Sequence, residues 1–239
     1  CRTGRIFLAA SAVRTAVVGL GWWSDVLAEA AGRSGQIELV ACYTRTEEKR
    51  RAFAARDNCR PAGSYEEILR DRSIEAILNT TPNSAHLETT RLAAQAGKHV
   101  FLDKPIANTV ADGQGITDVC AKAGVVLAVG SQRRRESQFR WMQSEIGAGR
   151  FGKLVQAECN IGRDRVGRID LSSWRYTAEG MPGGVMLQIG IHYVDVLEML
   201  LGPVVRVSAL SNRLVLPGEN PDVANLVLEH ENGALSSLT

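Results

Sequence analysis

The first 130 residues alternate short apolar runs with segments of helical pattern, and this alternation most constrains the fold. The runs are rich in valine, isoleucine and leucine, as is typical of strands buried on both faces of a sheet. Because the connections are short, the pattern predicts a doubly wound parallel sheet. We predict strands over residues 15–21, 37–43, 74–80, 98–102 and 125–130, and helices ending near residue 31 and over 47–56, 65–70, 85–96 and 110–123.

The pattern changes after Gly130. A helix over residues 137–146 leads to a strand over 153–161, and a polar loop leads to a second helix over 184–201. Three further strands with hairpin-like links follow, which predicts an α+β domain with a largely antiparallel sheet. We therefore predict a doubly wound α/β domain over residues 14–130 and an α+β domain over residues 131–239.

The two ends of the chain carry separate signals. The first residues, CRTGRIFLAASAV, combine two arginines, a short apolar run and small residues, as at the end of a signal peptide. Because the apolar run is short, we favour a non-native or poorly ordered leader over export. The last residues, NGALSSLT, read as a turn and a strand in progress, so we expect a fragment that stops inside its second domain.

Charge and cysteine usage exclude several classes of partner. The net charge of +2 is spread along the chain, and the one dense basic run, residues 133–135, fits a solvated helix start better than a nucleic-acid surface. No apolar run is long enough to span a membrane. The five cysteines are scattered without a CxxC pair, which argues against a disulfide framework or a metal site and favours a reducing, cytoplasmic location.

A glycine-rich turn, GLGWWS, follows the first predicted strand and opens a helix. Its first glycine allows a tight turn, and its second lets a pyrophosphate approach the backbone at a helix N-terminus. The third position is a serine, which is small enough for helix–strand packing and able to donate a hydrogen bond. Glycine turns are common, but this position favours nucleotide binding, and we assign it to Gly19, Gly21, Trp22, Trp23 and Ser24.

The end of the second strand indicates which dinucleotide is bound. An acidic residue here would bind the adenosine ribose diol, but the sequence reads Cys-Tyr-Thr-Arg, and the first carboxylate is Glu47. A hydroxyl and a guanidinium, from Thr44 and Arg45, suit a 2′-phosphate, so we favour NADP over NAD. The alternative is that Arg45 only begins a solvated helix.

The third predicted strand ends in a polar turn at the carboxyl edge of the sheet. Asn83 or Ser84 is predicted to cap the following helix, and Pro82 suits a helix start. Capping does not exclude cofactor contact, although His86 could also be an ordinary polar helix residue. We assign to the cofactor site Thr80, Thr81, Pro82, Asn83 and His86.

A lysine follows the fourth predicted strand in the sequence FLDKPIA. Lys104 lies beside Asp103 and before a proline that stiffens the turn. A lysine at this edge lies over the cofactor crevice, where desolvation can lower its pKa enough for proton transfer. A lone lysine after a strand is usually solvated, so its neighbours carry this interpretation.

The apolar stretch over residues 183–195 contains three polar residues at helical spacing. Gln188, His192 and Asp195 lie at i, i+4 and i+7, which places them along one stripe of a helix. Polar groups on a buried helix need a partner or a task. The stripe therefore predicts either a ligand-facing surface or helix-packing hydrogen bonds.

In order along the chain, GLGWWS, TTPNSAH, FLDKP and GGVMLQIGIHYVD resemble the glucose–fructose oxidoreductase, inositol dehydrogenase and rhizopine-catabolism (Gfo/Idh/MocA) family. The resemblance covers roughly residues 15–239 and implies a Rossmann domain followed by an α+β domain with a large open sheet. It implies an NAD(P)-dependent oxidoreductase of sugars, cyclitols or related small molecules. It also implies a homo-oligomer, a dimer or a tetramer. Members of the family are longer than this chain.

The resemblance assigns roles to individual residues. The EKP motif of the family falls on Asp103-Lys104-Pro105, with aspartate in place of glutamate, which makes Lys104 a catalytic residue. The catalytic histidine of the family falls on His192, and both residues are expected to contact substrate. The Ser-Trp-Arg segment ending at Arg175 resembles a segment near the substrate pocket, so we assign to substrate binding Trp174, Arg175 and Arg134 as well.

The family's usual aspartate, four residues before the histidine, falls on Gln188. Glutamine can only donate and accept hydrogen bonds, so a Lys–Asp–His proton relay is unavailable. We expect Lys104 and His192 to hold the substrate oxygen, one of them moving the proton, while Gln188 orients substrate. Two alternatives are a hydrolase or lyase that works through transient oxidation with retained cofactor, and a non-catalytic nucleotide-binding regulator.

Overall fold

The computed structural model describes residues 12–164, 170 and 172–239. The chain divides into two compact units, the first ending at Gly130 and the second running from Ser131 to Thr239. The leader predicted at the N-terminus lies almost entirely outside the described residues, as does the middle of the polar loop that precedes the second helix of the second unit.

The first unit contains a parallel sheet with helices between its strands. In its described part the strands are β1 (Val13–Val18), β2 (Ile37–Tyr43), β3 (Arg60–Pro61), β4 (Ala76–Asn79), β5 (His99–Leu102) and β6 (Leu127–Val129). The helices are α1 (Trp22–Ser34), α2 (Glu47–Asp57), α3 (Tyr65–Arg70), α4 (His86–Gln95) and α5 (Val110–Ala123).

The strand order is β3-β2-β1-β4-β5-β6, with every pair parallel. The prediction of a doubly wound sheet is thereby confirmed. The chain leaves β1 toward one edge and continues from β4 toward the other, so the direction reverses between these two neighbouring strands. The carboxyl ends of β1 and β4 are therefore the topological switch point, where ligands of such sheets bind.

Side chains of the central strands alternate between two cores. Val17 and Leu78 pack in one cluster with Cys42, while Val18 and Ile77 pack in the other. Successive residues of a strand point to opposite faces, and helices cover both faces here. This is why the strands read as continuous apolar runs, and each fully buried Val, Leu or Ile side chain contributes about 1.5–3 kcal/mol to stability.

The helix ends follow local chemistry in most places. The hydroxyl of Thr109 accepts a hydrogen bond from the Asp112 amide and caps α5, and Gly124 ends that helix in the left-handed conformation. The prediction that Asn83 or Ser84 caps α4 is wrong. Residues Asn83–Ala85 form a 3₁₀ turn that continues into α4, and neither the turn nor α4 has a side-chain cap at its N-terminus.

The second unit contains a mixed sheet with two longer helices. In its described part these are α6 (Ser137–Gly147), β7 (Gln156–Cys159), α7 (Ile191–Leu201), β8 (Val204–Asn212), β9 (Val223–His230) and β10 (Leu235–Leu238). The strand order is β7-β10-β9-β8; β10 pairs with β7 in parallel and the other pairs are antiparallel. Leu197 and Leu201 of α7 pack against Leu228 and Leu238 of the sheet. The α+β prediction is confirmed.

The helix predicted over residues 184–201 differs from the observed one at its start. Residues Met186–Gly190 form a π-helical turn that continues into α7. The Met186 side chain packs directly over Gly190, where a Cβ would lie only 2.5 Å from its Cε atom. Gln188 therefore lies on the π turn, whereas His192 and Asp195 lie on α7, and π turns are often found at functional sites.

In the part of the chain that the structure describes, none of the helices has the length and apolar character needed to cross a membrane. Among the same residues, no group of three or more His, Cys, Asp or Glu side chains is arranged to hold a metal ion.

Candidate active site

The glycine turn after β1 is pressed against the turn that follows β4. Gly19 has φ +90°, and a Cβ at this position would lie 2.5 Å from the Thr81 nitrogen and 2.6 Å from the Thr80 carbonyl carbon. The Gly19 amide donates a 2.9 Å hydrogen bond to Tyr43 O at the end of β2. Conformation and space therefore both require glycine here, as predicted from the turn.

Gly21 has a different role in the same turn. Its φ is −113°, which any residue can adopt, and a Cβ placed on it would meet no other atom within 4 Å. It immediately precedes α1, whose first backbone amides and positive dipole end favour an anion. The donors and the open backbone fit the pyrophosphate of a dinucleotide.

The three residues after Gly21 divide between surface and core. The Trp22 side chain is 65% exposed and makes an edge-to-face contact with Trp23, their ring centroids 5.2 Å apart. Ser24 is fully buried, and both its amide and its hydroxyl donate to Gly21 O, at 3.0 and 2.6 Å. Its hydroxyl therefore closes the turn, and the assignment of Ser24 to the cofactor site stays a prediction.

The end of β2 presents two arginines. Arg45 is exposed, and Arg50 on α2 donates a 2.8 Å hydrogen bond from Nη1 to Thr44 O, with its guanidinium carbon 5.6 Å from the centroid of the Tyr43 ring. The nearest acidic residue in sequence, Glu47, pairs with Arg51. Sequence reasoning missed Arg50, whose only signal is its place on the first turns of the helix after β2.

Polar side chains in the turn after β4 donate hydrogen bonds to protein atoms of this turn and of neighbouring loops. Thr80 Oγ1 donates to Gly19 O at 2.5 Å, and Thr81 Oγ1 donates to Asn79 Oδ1 at 2.8 Å. Asn83 is buried, and its amide donates to Asn108 Oδ1 at 3.1 Å. These residues lie at the predicted edge of the sheet, but these donor groups hold the loops together. The half-buried Pro82 lies between them.

Asn79 is a buried polar residue at the end of β4 that sequence reasoning did not single out. It is 1% exposed, its carbonyl oxygen accepts from the Thr81 amide at 3.2 Å, and its Nδ2 donates to Thr89 Oγ1 at 2.7 Å. The hydrogen bond from the Thr81 amide fixes the backbone of the turn after β4. An asparagine at the end of an otherwise apolar strand was the available signal, because a buried amide needs several partners.

His86 is buried between two loops. His86 is 1% exposed. The ring nitrogen Nε2 lies 2.9 Å from Thr81 O, and Nδ1 lies 3.0 Å from Pro105 O and 3.3 Å from Ile106 O. Burial lowers the pKa of this imidazole, and the carbonyl contacts partly offset that effect. Protein encloses the ring, and the assignment of His86 to the cofactor site stays a prediction.

Lys104 lies at the carboxyl end of β5. The Asp103 amide donates to Asn79 O at 2.9 Å, and Asp103 Oδ1 accepts a 2.8 Å hydrogen bond from the Lys104 amide. The Asp103 carboxylate therefore caps the turn that presents the lysine. Lys104 is half-buried, and the peptide bond to Pro105 is cis.

In the second unit, His192 is 7% exposed on the first turn of α7. Asp195, one turn further on, forms a two-pronged ion pair with Arg134, including a 2.8 Å hydrogen bond from Nε to Oδ2. This partner holds the pKa of the Arg134 guanidinium above its ordinary value. The ion pair agrees with the bracing role considered for Asp195. The substrate contact assigned to Arg134 stays a prediction.

Gln188 holds a short turn that follows the polar loop. Its Nε2 donates a 2.6 Å hydrogen bond to Arg175 O within the 3₁₀ turn Trp174–Tyr176. The Arg175 guanidinium carbon lies 4.5 Å from the centroid of the Trp174 ring. This hydrogen bond agrees with the structural interpretation of Gln188, while its contact with substrate stays a prediction. A carboxylate at the same position could not donate to a carbonyl oxygen.

Replacing Gln188 by glutamate is expected to make stability depend on pH. The carboxylate would face the Arg175 carbonyl without a proton, which costs about 1–3 kcal/mol, whereas the protonated acid could donate again. The folded-state pKa of this acid is therefore raised, so its stabilising form is present at low pH and lost as pH rises. Thermal unfolding at pH 5 and pH 8 measures the effect.

The control is Gln95→Glu on α4, since Gln95 Oε1 already accepts a hydrogen bond from Arg91 and accommodates a carboxylate. If Gln188→Glu and Gln95→Glu showed the same pH dependence, the donor role of Gln188 would be contradicted.

The order of the parallel sheet and the glycine turn at its switch point define a Rossmann domain, which an α+β unit follows along the chain. The chain belongs to the Gfo/Idh/MocA family. The family profile described as "Oxidoreductase family, NAD-binding Rossmann fold" matches residues 13–131. The profile of the GFO/IDH/MocA C-terminal domain matches residues 139–239.

Three known proteins illustrate the similarity. The 1,5-anhydro-D-fructose reductase of Ensifer adhaerens is 31% identical over 165 residues, which are 69% of this chain and 49% of the reductase. A putative NADPH-dependent oxidoreductase from Desulfitobacterium hafniense superposes with a TM-score of 0.91 at 34% identity, over 95% of this chain and 66% of that one. The WlbA dehydrogenase from Bordetella pertussis, in complex with NADH and UDP-GlcNAcA, has a TM-score of 0.87 at 31% identity, over 95% of this chain and 70% of that one.

The curated relatives are longer than the part that this chain matches. The matched part amounts to 60%, 49% and 60% of the first three relatives.

Proposed function

We propose that this protein transfers a hydride between a nicotinamide dinucleotide and a hydroxyl or carbonyl carbon of a sugar, cyclitol or related small cyclic compound. The observation that carries the proposal is the position of Lys104, at the same carboxyl edge of the sheet as the Gly19–Gly21 turn. The reductase and dehydrogenase names of the relatives support this reaction class.

The residues around the switch point would hold the dinucleotide. The backbone at Gly21 and the first amides of α1 would bind its pyrophosphate, and the end of β2 would bind its adenosine ribose. When bound, the dinucleotide supplies the hydride donor or acceptor. The turn after β4, pressed against Gly19, would flank it.

Lys104 and His192 carry the proton chemistry in this proposal. The Lys104 ammonium donates a hydrogen bond to the substrate oxygen, gives its proton to that oxygen in reduction and takes it back in oxidation. His192 provides a second polar contact to the same oxygen. Gln188 acts indirectly, because its amide fixes the turn that carries Trp174 and Arg175, and those two side chains contact substrate.

The test is a screen of sugars, cyclitols and cyclic diols with purified protein and each dinucleotide, followed by absorbance of the reduced nicotinamide. Substrate-dependent reduction or oxidation of the dinucleotide is expected. Absence of dinucleotide binding by calorimetry would contradict the proposal. Product formed without net change in the dinucleotide would instead favour the hydrolase or lyase that retains its cofactor.

We also propose that NADP is the preferred cofactor. The support is the pair of arginines at the end of β2: Arg45 is exposed, and Arg50 is anchored by Thr44 O and the Tyr43 ring. Planar guanidinium groups suit a phosphate, which they bind through two hydrogen bonds. No carboxylate lies between residues 43 and 47 to bind an unmodified ribose diol.

Replacing Arg45 and Arg50 together by alanine is expected to raise the KM for NADP by about 10- to 100-fold and to change the KM for NAD by less than about threefold. The lost charge-assisted hydrogen bonds are worth about 1.5–3 kcal/mol each. Steady-state kinetics with both dinucleotides measure the difference. Arg51→Ala, which removes an exposed arginine of the same helix paired with Glu47, is the control, and equal losses for NAD and NADP would refute the assignment.

We propose a homo-oligomer in a reducing, cytoplasmic compartment. Exposed apolar side chains on β8 and β9, among them Val205, Val207 and Val227, support self-association through the sheet. Cys42, Cys59, Cys120 and Cys159 are free thiols, as suits a reducing compartment. Sedimentation that found only monomer at micromolar concentration would contradict the oligomer, and secretion of a tagged protein would contradict the location.

A further inference from the structure

The imidazole of His86 bridges two loops of the first unit that serve different parts of the proposed reaction. On one side lies Thr81 O, in the turn after β4 that packs against Gly19. On the other side lie Pro105 O and Ile106 O, in the two residues directly after Lys104. All three partners are backbone carbonyl oxygens, so the ring contacts the backbone of both loops.

The geometry of these contacts is specific to histidine. Both ring nitrogens lie 2.9–3.3 Å from carbonyl oxygens. The neutral ring carries hydrogen on one nitrogen and donates to one of the two loops, whereas the imidazolium donates to both. No aliphatic side chain can replace either bond. Because the residue is 1% exposed, water cannot take over the carbonyls without opening the edge of the sheet.

Neighbouring hydrogen bonds also connect the loops at this carboxyl edge of the sheet, and we call these connected loops the frame. Thr80 bonds to Gly19 O, and Asn83 bonds to Asn108 across the same two loops. Asp103 bonds to Asn79 O and to the Lys104 amide. His86 is the member of this frame that holds the backbone on the carboxyl side of Lys104.

We propose that His86 is a positioning residue: it holds the turn of Lys104 at a fixed place relative to the glycine turn that binds the dinucleotide. The inference rests on the proposed function, because it gives Lys104 the proton-transfer role. This role requires no contact of His86 with substrate or cofactor. It acts through the backbone of Pro105 and Ile106, and a displacement of an ångström at the reacting group is enough to slow such a step substantially.

Two amide substitutions separate the two halves of the bridge. In His86→Asn the side-chain amide occupies roughly the position of Nδ1 and can donate to Pro105 O, so the turn of Lys104 stays held. In His86→Gln the amide reaches the position of Nε2 and can donate only to Thr81 O. Each variant keeps a donor in place of one ring nitrogen and loses the contacts of the other, so the two differ in which loop they release.

We expect His86→Gln to lower kcat by about 10- to 100-fold while the KM for the dinucleotide changes by less than about threefold. We expect His86→Asn to retain kcat within about threefold of the unmodified protein. Both variants are expected to lose similar thermal stability, which is measured alongside. If kcat followed the loss of melting temperature and not the identity of the retained bond, the positioning role would be overturned.

A second readout does not depend on turnover. Backbone hydrogen exchange over residues 103–108 is expected to accelerate in His86→Gln and to stay near its original rate in His86→Asn. Absence of turnover in the unmodified protein with every substrate would sink the proposed function, whereas equal exchange in the two variants would sink the role of His86. The two failures are therefore distinguishable.

Discussion

Lys104→Met is expected to lower kcat/KM by about a thousandfold while dinucleotide binding remains within about threefold of its original strength, since general acid–base catalysis contributes about 10²–10⁴. Methionine keeps the length and apolar contacts of the lysine stem but removes the proton donor and the charge. The turn itself should persist, because the Asp103 carboxylate accepts a hydrogen bond from the backbone amide of residue 104, which the substitution keeps. Steady-state kinetics and calorimetric titration with the dinucleotide measure the two quantities separately.

Two further substitutions make this result specific. Lys122→Met removes an exposed lysine in the last turn of α5 and is expected to leave kcat/KM unchanged. Lys104→Arg keeps a cation that can hold the substrate oxygen but cannot give up its proton, so it should restore KM better than kcat. If Lys104→Met retained more than a tenth of the original kcat/KM, the role of Lys104 in proton transfer would be contradicted.

Much of the fold could be predicted because buried strands and helix ends have local signatures. The central strands are apolar on both faces, and Gly35 and Gly124 end α1 and α5 in the left-handed conformation that other residues rarely adopt. The two-residue strand β3 could not be predicted, because Arg60 and Pro61 carry no strand pattern. The π turn was equally hidden, since the polar stripe through Gln188 and His192 has helical spacing in either case.

The candidate site could be placed at its edge of the sheet but not resolved into roles. The sequence shows which residues follow each strand, and in a parallel sheet these residues lie along one carboxyl edge. It does not show where a hydroxyl or an amide will bond: Ser24 donates within its own turn and Thr80 donates to Gly19. Such choices depend on contacts between distant segments, as does the pairing of Arg134 with Asp195, which lie 61 residues apart.

Alanine at the two turn glycines is expected to separate folding from cofactor binding. Gly19→Ala forces a side chain to φ +90° and brings its Cβ to 2.5 Å from the Thr81 nitrogen, so we expect the first unit to lose about 3 kcal/mol or more of stability. Gly21→Ala meets no atom within 4 Å and has φ −113°, so its stability should change by less than about 0.5 kcal/mol.

Gly21→Ala should nevertheless raise the dissociation constant of the dinucleotide at least about tenfold, which is about 1.4 kcal/mol, because its methyl group occupies the space through which the pyrophosphate reaches the backbone. Chemical denaturation and calorimetric titration of both variants test the pair. Gly32→Ala, on α1 with no atom within 4 Å of its Cβ, is the control: it is expected to leave dinucleotide binding unchanged and to gain up to about 1 kcal/mol of stability, because alanine favours a helix over glycine. If Gly21→Ala bound the dinucleotide as tightly as Gly32→Ala, the pyrophosphate would have to lie elsewhere, and the assignment of the turn to cofactor binding would be lost even though Gly19 remained essential for the fold.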